Sequence, residues 1–162
     1  GVAMYFMLAD NSTTPDLYYT QIVPFIGFII TLGSCYRLAN FNIDTRQTDS
    51  FIGLPTPANA LFILSLPIIL SQTNSLLVIG LLNTKVVLIA ISLMSAYMLN
   101  AEIPLFSLKI KQFSFAKYRL QISFVAVSVL LLIFLQIAAI PLIIIGYVIL
   151  SVINNKIHGI KA

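Results

Sequence analysis

Residues 36–59 read YRLANFNIDTRQTDSFIGLPTPAN. The stretch is polar and charged, and it stands between two long apolar runs. It holds Arg37, Arg46, Asp44 and Asp49, in a chain that is 59% hydrophobic. Charge is costly inside a bilayer and cheap at its surface. A polar segment so placed therefore reads as a loop at one edge of a membrane, with a helix entering it and another leaving.

The rest of the chain agrees with that reading. Only 9% of the 162 residues are charged, and the mean hydropathy is +1.01. Soluble domains carry about 25% charged residues, and a water-soluble fold of this size could not hide so much apolar surface. The expected class is an all-α, polytopic transmembrane bundle forming one domain over residues 1–162. Cys35 is the single cysteine, so there is neither a disulfide framework nor a cysteine metal set.

Five apolar segments are expected to span as helices: Leu17–Ala39, Pro57–Ser71, Thr84–Leu99, Tyr118–Ile137 and Pro141–Ile153. A short helical turn is expected at Leu76–Leu82. In lipid an isolated segment must satisfy its own backbone hydrogen bonds, and these runs are continuous rather than alternating, which argues against a barrel. Pro57 falls at a helix start, where its missing N–H costs little, and Pro67 predicts a kink. Gly1–Ala9 is about half the roughly 20 residues a span needs. It reads as the second half of a helix, and the chain is expected to be part of a longer protein.

The connections alternate in charge. Arg46 with Arg37 marks the 40–56 loop, Lys109, Lys111 and Lys117 mark the 101–117 loop, and Lys156 and Lys161 mark the tail. The intervening connections lack Lys and Arg, apart from Lys85, which can snorkel from a helix end. By the positive-inside rule these two loops and the C-terminus are expected to face the cytoplasm, in a multi-pass protein of the cell membrane. The 101–117 stretch is either a solvated basic loop or a segment lying against anionic headgroups.

Four ordered segments carry a resemblance. They are Gly1–Leu8, Arg37-Leu38-Ala39-Asn40-Phe41-Asn42, the run Phe51-Ile52-Gly53-Leu54-Pro55-Thr56-Pro57-Ala58, and Ile103-Pro104-Leu105-Phe106-Ser107-Leu108-Lys109. With the ending AAIPLIIIGYVILS, they resemble the phosphatidylserine synthases of the CDP-alcohol phosphatidyltransferase family over essentially the whole chain. The resemblance implies transfer of a phosphatidyl group from CDP-diacylglycerol to L-serine, releasing CMP, with Mg2+ or Mn2+ as cofactor. The partners it implies are those two substrates, the bilayer and, as an assembly, a homodimer; no nucleic acid is implied.

Two departures from the family pattern stand out. Position 40 is Asn where the family has Arg or Lys, which removes a charge but keeps hydrogen-bonding capacity. The family's aspartate signature, with its Asp-x2-Asp and Asp-x3-Asp pairs that hold metal and diphosphate, is absent. Asp10, Asp16, Asp44, Asp49 and Glu102 are the only acidic residues, and none has that spacing. In the family the last signature aspartate lies a few residues before the position matching Gly1, so the catalytic and metal-binding residues are expected outside this chain, and the chain alone is expected to be inactive.

What remains reads as the acceptor side of a site. Arg37 is either a substrate contact, since a guanidinium binds a carboxylate or phosphate with two parallel bonds, or a snorkelling anchor. Asn42, Arg46 and Asn40 are further substrate-binding candidates, against a helix cap for Asn42 and a solvated loop charge for Arg46. Lys109 and Lys111 are weaker candidates for phosphate or lipid headgroups. Other readings stay open: another acceptor such as glycerol phosphate or inositol, a small transporter, or a non-catalytic membrane subunit.

Overall fold

A computed structural model describes residues 1–10, 22–43, 51–105 and 119–158. Within them the regular structure is helical apart from one two-residue ladder. Helix α1 covers Val2–Asp10, and a 3-10 segment, Val23–Phe28, leads into α2, Ile29–Ile43. Then come α3 (Thr56–Gln72), α4 (Leu76–Leu82), α5 (Lys85–Asn100), α6 (Arg119–Leu135) and α7 (Ala139–His158). The ladder pairs β1 (Phe51–Ile52) with β2 (Pro104–Leu105) antiparallel, Phe51 opposite Leu105 and Ile52 opposite Pro104.

Helices thus occupy the described parts of the five apolar segments read from the sequence, and the short turn at Leu76–Leu82 is present. Length is a stricter test. Val23–Asn42 and Gln121–Lys156 are long and apolar enough to cross a membrane, and a third span is made if α4 and α5, bent by 69° at their junction, count as one broken span. Helix α3 is apolar but has only 17 residues. The last helix runs well past the expected Pro141–Ile153, and the start of the expected Leu17–Ala39 span lies outside the described residues.

Local chemistry explains the breaks. Pro57 sits in the first turn of α3, and Pro67 lies inside that helix. At the α4–α5 bend the Thr84 hydroxyl donates to the Gly80 carbonyl at 2.7 Å, and the Asn83 N–H donates to Ile79 O at 2.9 Å. These bonds take up carbonyls that the end of α4 would otherwise leave open. Gln136 has φ 50°, a left-handed conformation that turns the chain between α6 and α7.

That turn is a reversal. The rings of Phe124 and Tyr147 are 5.9 Å apart, yet 23 residues of straight helix would separate them by about 34 Å. Gln121–Lys156 is therefore a hairpin of two antiparallel helices. In a protein with Cys35 replaced by serine, cysteines at 124 and 147 are expected to be bridged by a short bismaleimide; absence of the bridge in folded protein would mean a continuous rod instead.

The core lies where α1, α2, α3 and α5 meet, around Met4, Leu8, Ile30, Ile63, Leu66, Leu88 and Leu99. Tyr5, Phe25 and Phe28 add an aromatic cluster with centroids 5.3 to 6.2 Å apart. Helices α2 and α5 approach closely because position 33 is glycine: a Cβ there would lie 3.2 Å from both Cα and Cβ of Ala96. The Asn100 amide uses the gap, donating to Gly33 O across the crossing and to Ala96 O in its own helix, both at 3.0 Å. Small residues and interhelical amides are how helices pack in lipid, where apolar burial offers little. Gly33→Leu is expected to cost about 1–3 kcal/mol, read as a lower unfolding temperature in detergent; an unchanged midpoint would mean the crossing is looser than this.

Candidate functional site

One end of the bundle collects most of the polar sequence. The C-terminal end of α5 exposes carbonyls with no partner inside the helix, and distant segments supply donors. The Arg37 guanidinium, from α2, donates through Nη1 to Leu99 O at 2.6 Å. The Leu54 N–H donates to Met98 O at 2.9 Å. Such a helix end carries partial negative charge, so a cation on it is favourable. Arg37 is only 9% exposed, which makes this a buried, charge-assisted bond rather than a surface contact.

Gly53 lets the pieces fit. It has φ +73°, and a Cβ on it would lie 2.7 Å from Arg37 Nη1, 2.8 Å from Leu99 O and 2.9 Å from Ala101 O. Its N–H donates to Ile103 O at 2.9 Å, continuing the ladder between β1 and β2. The Gly-Leu-Pro segment, the segment Ala101–Leu105 and the end of α2 are thereby locked together. The described ends of the two loops, residues 51–55 and 101–105, consequently meet at the same end of the bundle.

The sequence-derived candidates divide accordingly. Arg37 is at the centre, engaged with the protein itself. Asn40 and Asn42 are exposed on the last turn of α2. Arg46, Lys109 and Lys111 lie outside the described residues. Glu102 is exposed at the same end. Among the described residues no group of three His, Cys, Asp or Glu is placed to hold a metal ion.

Sequence reasoning missed a buried polar pair below this end. Asn59, 2% exposed, accepts at Oδ1 a hydrogen bond from the Ser95 hydroxyl at 2.5 Å. It joins α3 to α5. The signal available was a lone amide early in an apolar helix, which is expensive unless bonded. Asn59 and Ser95 also border an open, largely apolar pocket of about 460 Å³ between α3, α5 and α7, lined by Leu54, Phe62, Met94, Met98 and isoleucines of α7.

No family model matches the chain, and no curated protein matches it.

Proposed function

We propose that the intact protein is a phosphatidyltransferase of the CDP-alcohol family that moves a phosphatidyl group from CDP-diacylglycerol to L-serine. The reading begins in the resemblance of the sequence segments. The observation that carries it further is their convergence: Arg37 of RLANFN, Gly53 and Leu54 of FIGLPTPAN, and Ile103–Leu105 of IPLFSLK meet at one end, although they lie up to 68 positions apart (37 to 105). Segments this distant share a detailed pattern most simply because they build one site.

In this reading the polypeptide crosses the membrane five times after the opening half-helix. The 40–56 loop, the 101–117 loop and the C-terminus face the cytoplasm. The Lys and Arg distribution supports that orientation, and the pairing of β1 with β2 fits two loops that share a side, whichever side that is. The lipid reaches the site from the bilayer, while serine arrives from water. The serine hydroxyl oxygen bonds to the phosphatidyl phosphorus, the bond to the CMP oxygen breaks with its electron pair, and the hydroxyl proton passes to a base.

The described residues do not fit Mg2+ or Mn2+, and in this reading both the metal ligands and the base belong to other parts of the intact protein. What this chain contributes is positioning. Arg37 holds the end of α5 and the Gly-Leu-Pro turn in register. Asn40 and Asn42, exposed beside it, offer donors and acceptors suited to serine. Arg46, Lys109 and Lys111, outside the described residues, are the cations that the sequence adds to these two loops.

Expression of the intact protein in cells whose own phosphatidylserine synthesis has been deleted tests the class of activity. Phosphatidylserine is expected to appear in their lipids. A transporter or a non-catalytic subunit would leave the lipid headgroups unchanged, and that result would remove the proposal.

A further inference from the structure

A second cavity, of about 340 Å³, lies between α1, α2 and α3. Thr31, Ser34, Thr56 and Asn59 give it polar side chains, Gly1 borders it with its backbone, and Ile30 and Ile63 are among its apolar walls. No acidic side chain lines it among the described residues. It differs from the largely apolar pocket between α3, α5 and α7 in offering several uncharged hydrogen-bonding groups.

Three features of this lining point to one ligand chemistry. Asn59 is 98% buried, and Ser95 occupies its amide oxygen. The amide is planar, so its nitrogen is directed away from that bond, and no acceptor among the described residues takes it. The nitrogen is not sealed in the core, since the fully buried polar atoms without a partner among the described residues are Asn100 Oδ1 and Ser151 Oγ; Asn59 instead lines this cavity, where its N–H groups can meet a ligand. The same wall is the first turn of α3, which has no side-chain cap, so its leading N–H groups present the positive end of the helix dipole. The Thr31 and Thr56 hydroxyls can donate as well. Ser34 donates to Ile30 O at 2.9 Å and stands one turn from Arg37 on α2.

We propose that this cavity binds a substrate oxyanion, a carboxylate or a phosphate oxygen, with the Asn59 amide nitrogen as a donor. The inference rests on the transferase reading for the identity of the substrates: serine brings a carboxylate, and CDP-diacylglycerol a diphosphate. A neutral amide at the end of a helix suits either. It binds the anion without placing a second fixed cation in the bundle.

The test uses the intact protein in lipid nanodiscs and the double variant N59L/S95A. Replacing both partners with apolar groups avoids leaving one unpaired. The KM values for serine and for CDP-diacylglycerol are measured separately, with thermal unfolding alongside. One KM is expected to rise about tenfold or more, as loss of a hydrogen bond to a charged group implies, while the other stays within about twofold. A serine shift identifies the carboxylate as the bound group, and a CDP-diacylglycerol shift identifies the phosphate. Unmoved KM values in a folded variant, or a joint loss of kcat and stability with no selective KM change, would overturn the inference. If the wild type shows no transfer at all, the functional reading fails separately. Equilibrium dialysis with labelled serine and inorganic phosphate then decides the cavity: binding lost in N59L/S95A sustains it, and binding absent or unaltered overturns it.

Discussion

Gly53→Ala is expected to lower the stability of the intact protein by about 2–4 kcal/mol. Two costs add. An alanine at φ +73° sits in a conformation that costs about 1 kcal/mol or more for a residue with a Cβ. Its methyl group also meets Leu99 O and Ala101 O closer than 3.0 Å, and backbone carbonyls cannot rotate aside as a flexible side chain can. Relieving the clash requires the Gly-Leu-Pro turn to lift off the end of α5, which breaks the Leu54 N–H bond to Met98 O and the Gly53 N–H bond to Ile103 O. Thermal unfolding in detergent reads the loss. A midpoint within a degree of wild type would show that this turn is not held as described.

Arg37→Met is expected to cost about 1–3 kcal/mol, because it keeps much of the apolar stem and leaves Leu99 O buried without its charged donor. Phosphatidyl transfer is expected to fall with it, as the turn and the end of α5 lose their common tie. Arg37→Lys recovers only part of the loss, since an ammonium is a point donor without the planar fork. The two substitutions also couple. Arg37 Nη1 is the atom nearest to a Cβ at position 53, so truncating Arg37 removes one of the three contacts that make Gly53→Ala costly. The double variant G53A/R37M is expected to be less destabilised than the sum of the singles, by about 0.5 kcal/mol or more. Strict additivity would place Arg37 away from the turn.

The helices were legible because apolar runs in lipid have few alternatives: Pro57 marked the start of α3, and the short apolar patch at Leu76–Leu82 marked α4. Arg37 was legible as a special residue but not in its bond. An arginine at a helix end has the same pattern whether it binds a ligand, reaches for headgroups or caps a neighbouring helix 62 positions later. The ladder between Phe51–Ile52 and Pro104–Leu105 was invisible for a related reason. Two residues show no alternation, and their pairing depends on where α3 and α5 place them. The Asn59–Ser95 bond depends likewise on the helices being side by side. The reversal at Gln136 turns on a single non-glycine residue with φ 50°, which no local composition announces.

The most direct measurement of the central claim is the stoichiometry of transfer. Purified intact protein in nanodiscs receives CDP-diacylglycerol, divalent metal and one acceptor at a time, and CMP and lipid product are quantified together. The account predicts that serine yields phosphatidylserine and CMP in equal amounts, while glycerol phosphate and inositol yield neither above background. Product with one of those acceptors and none with serine, or CMP release that needs no acceptor, would contradict it.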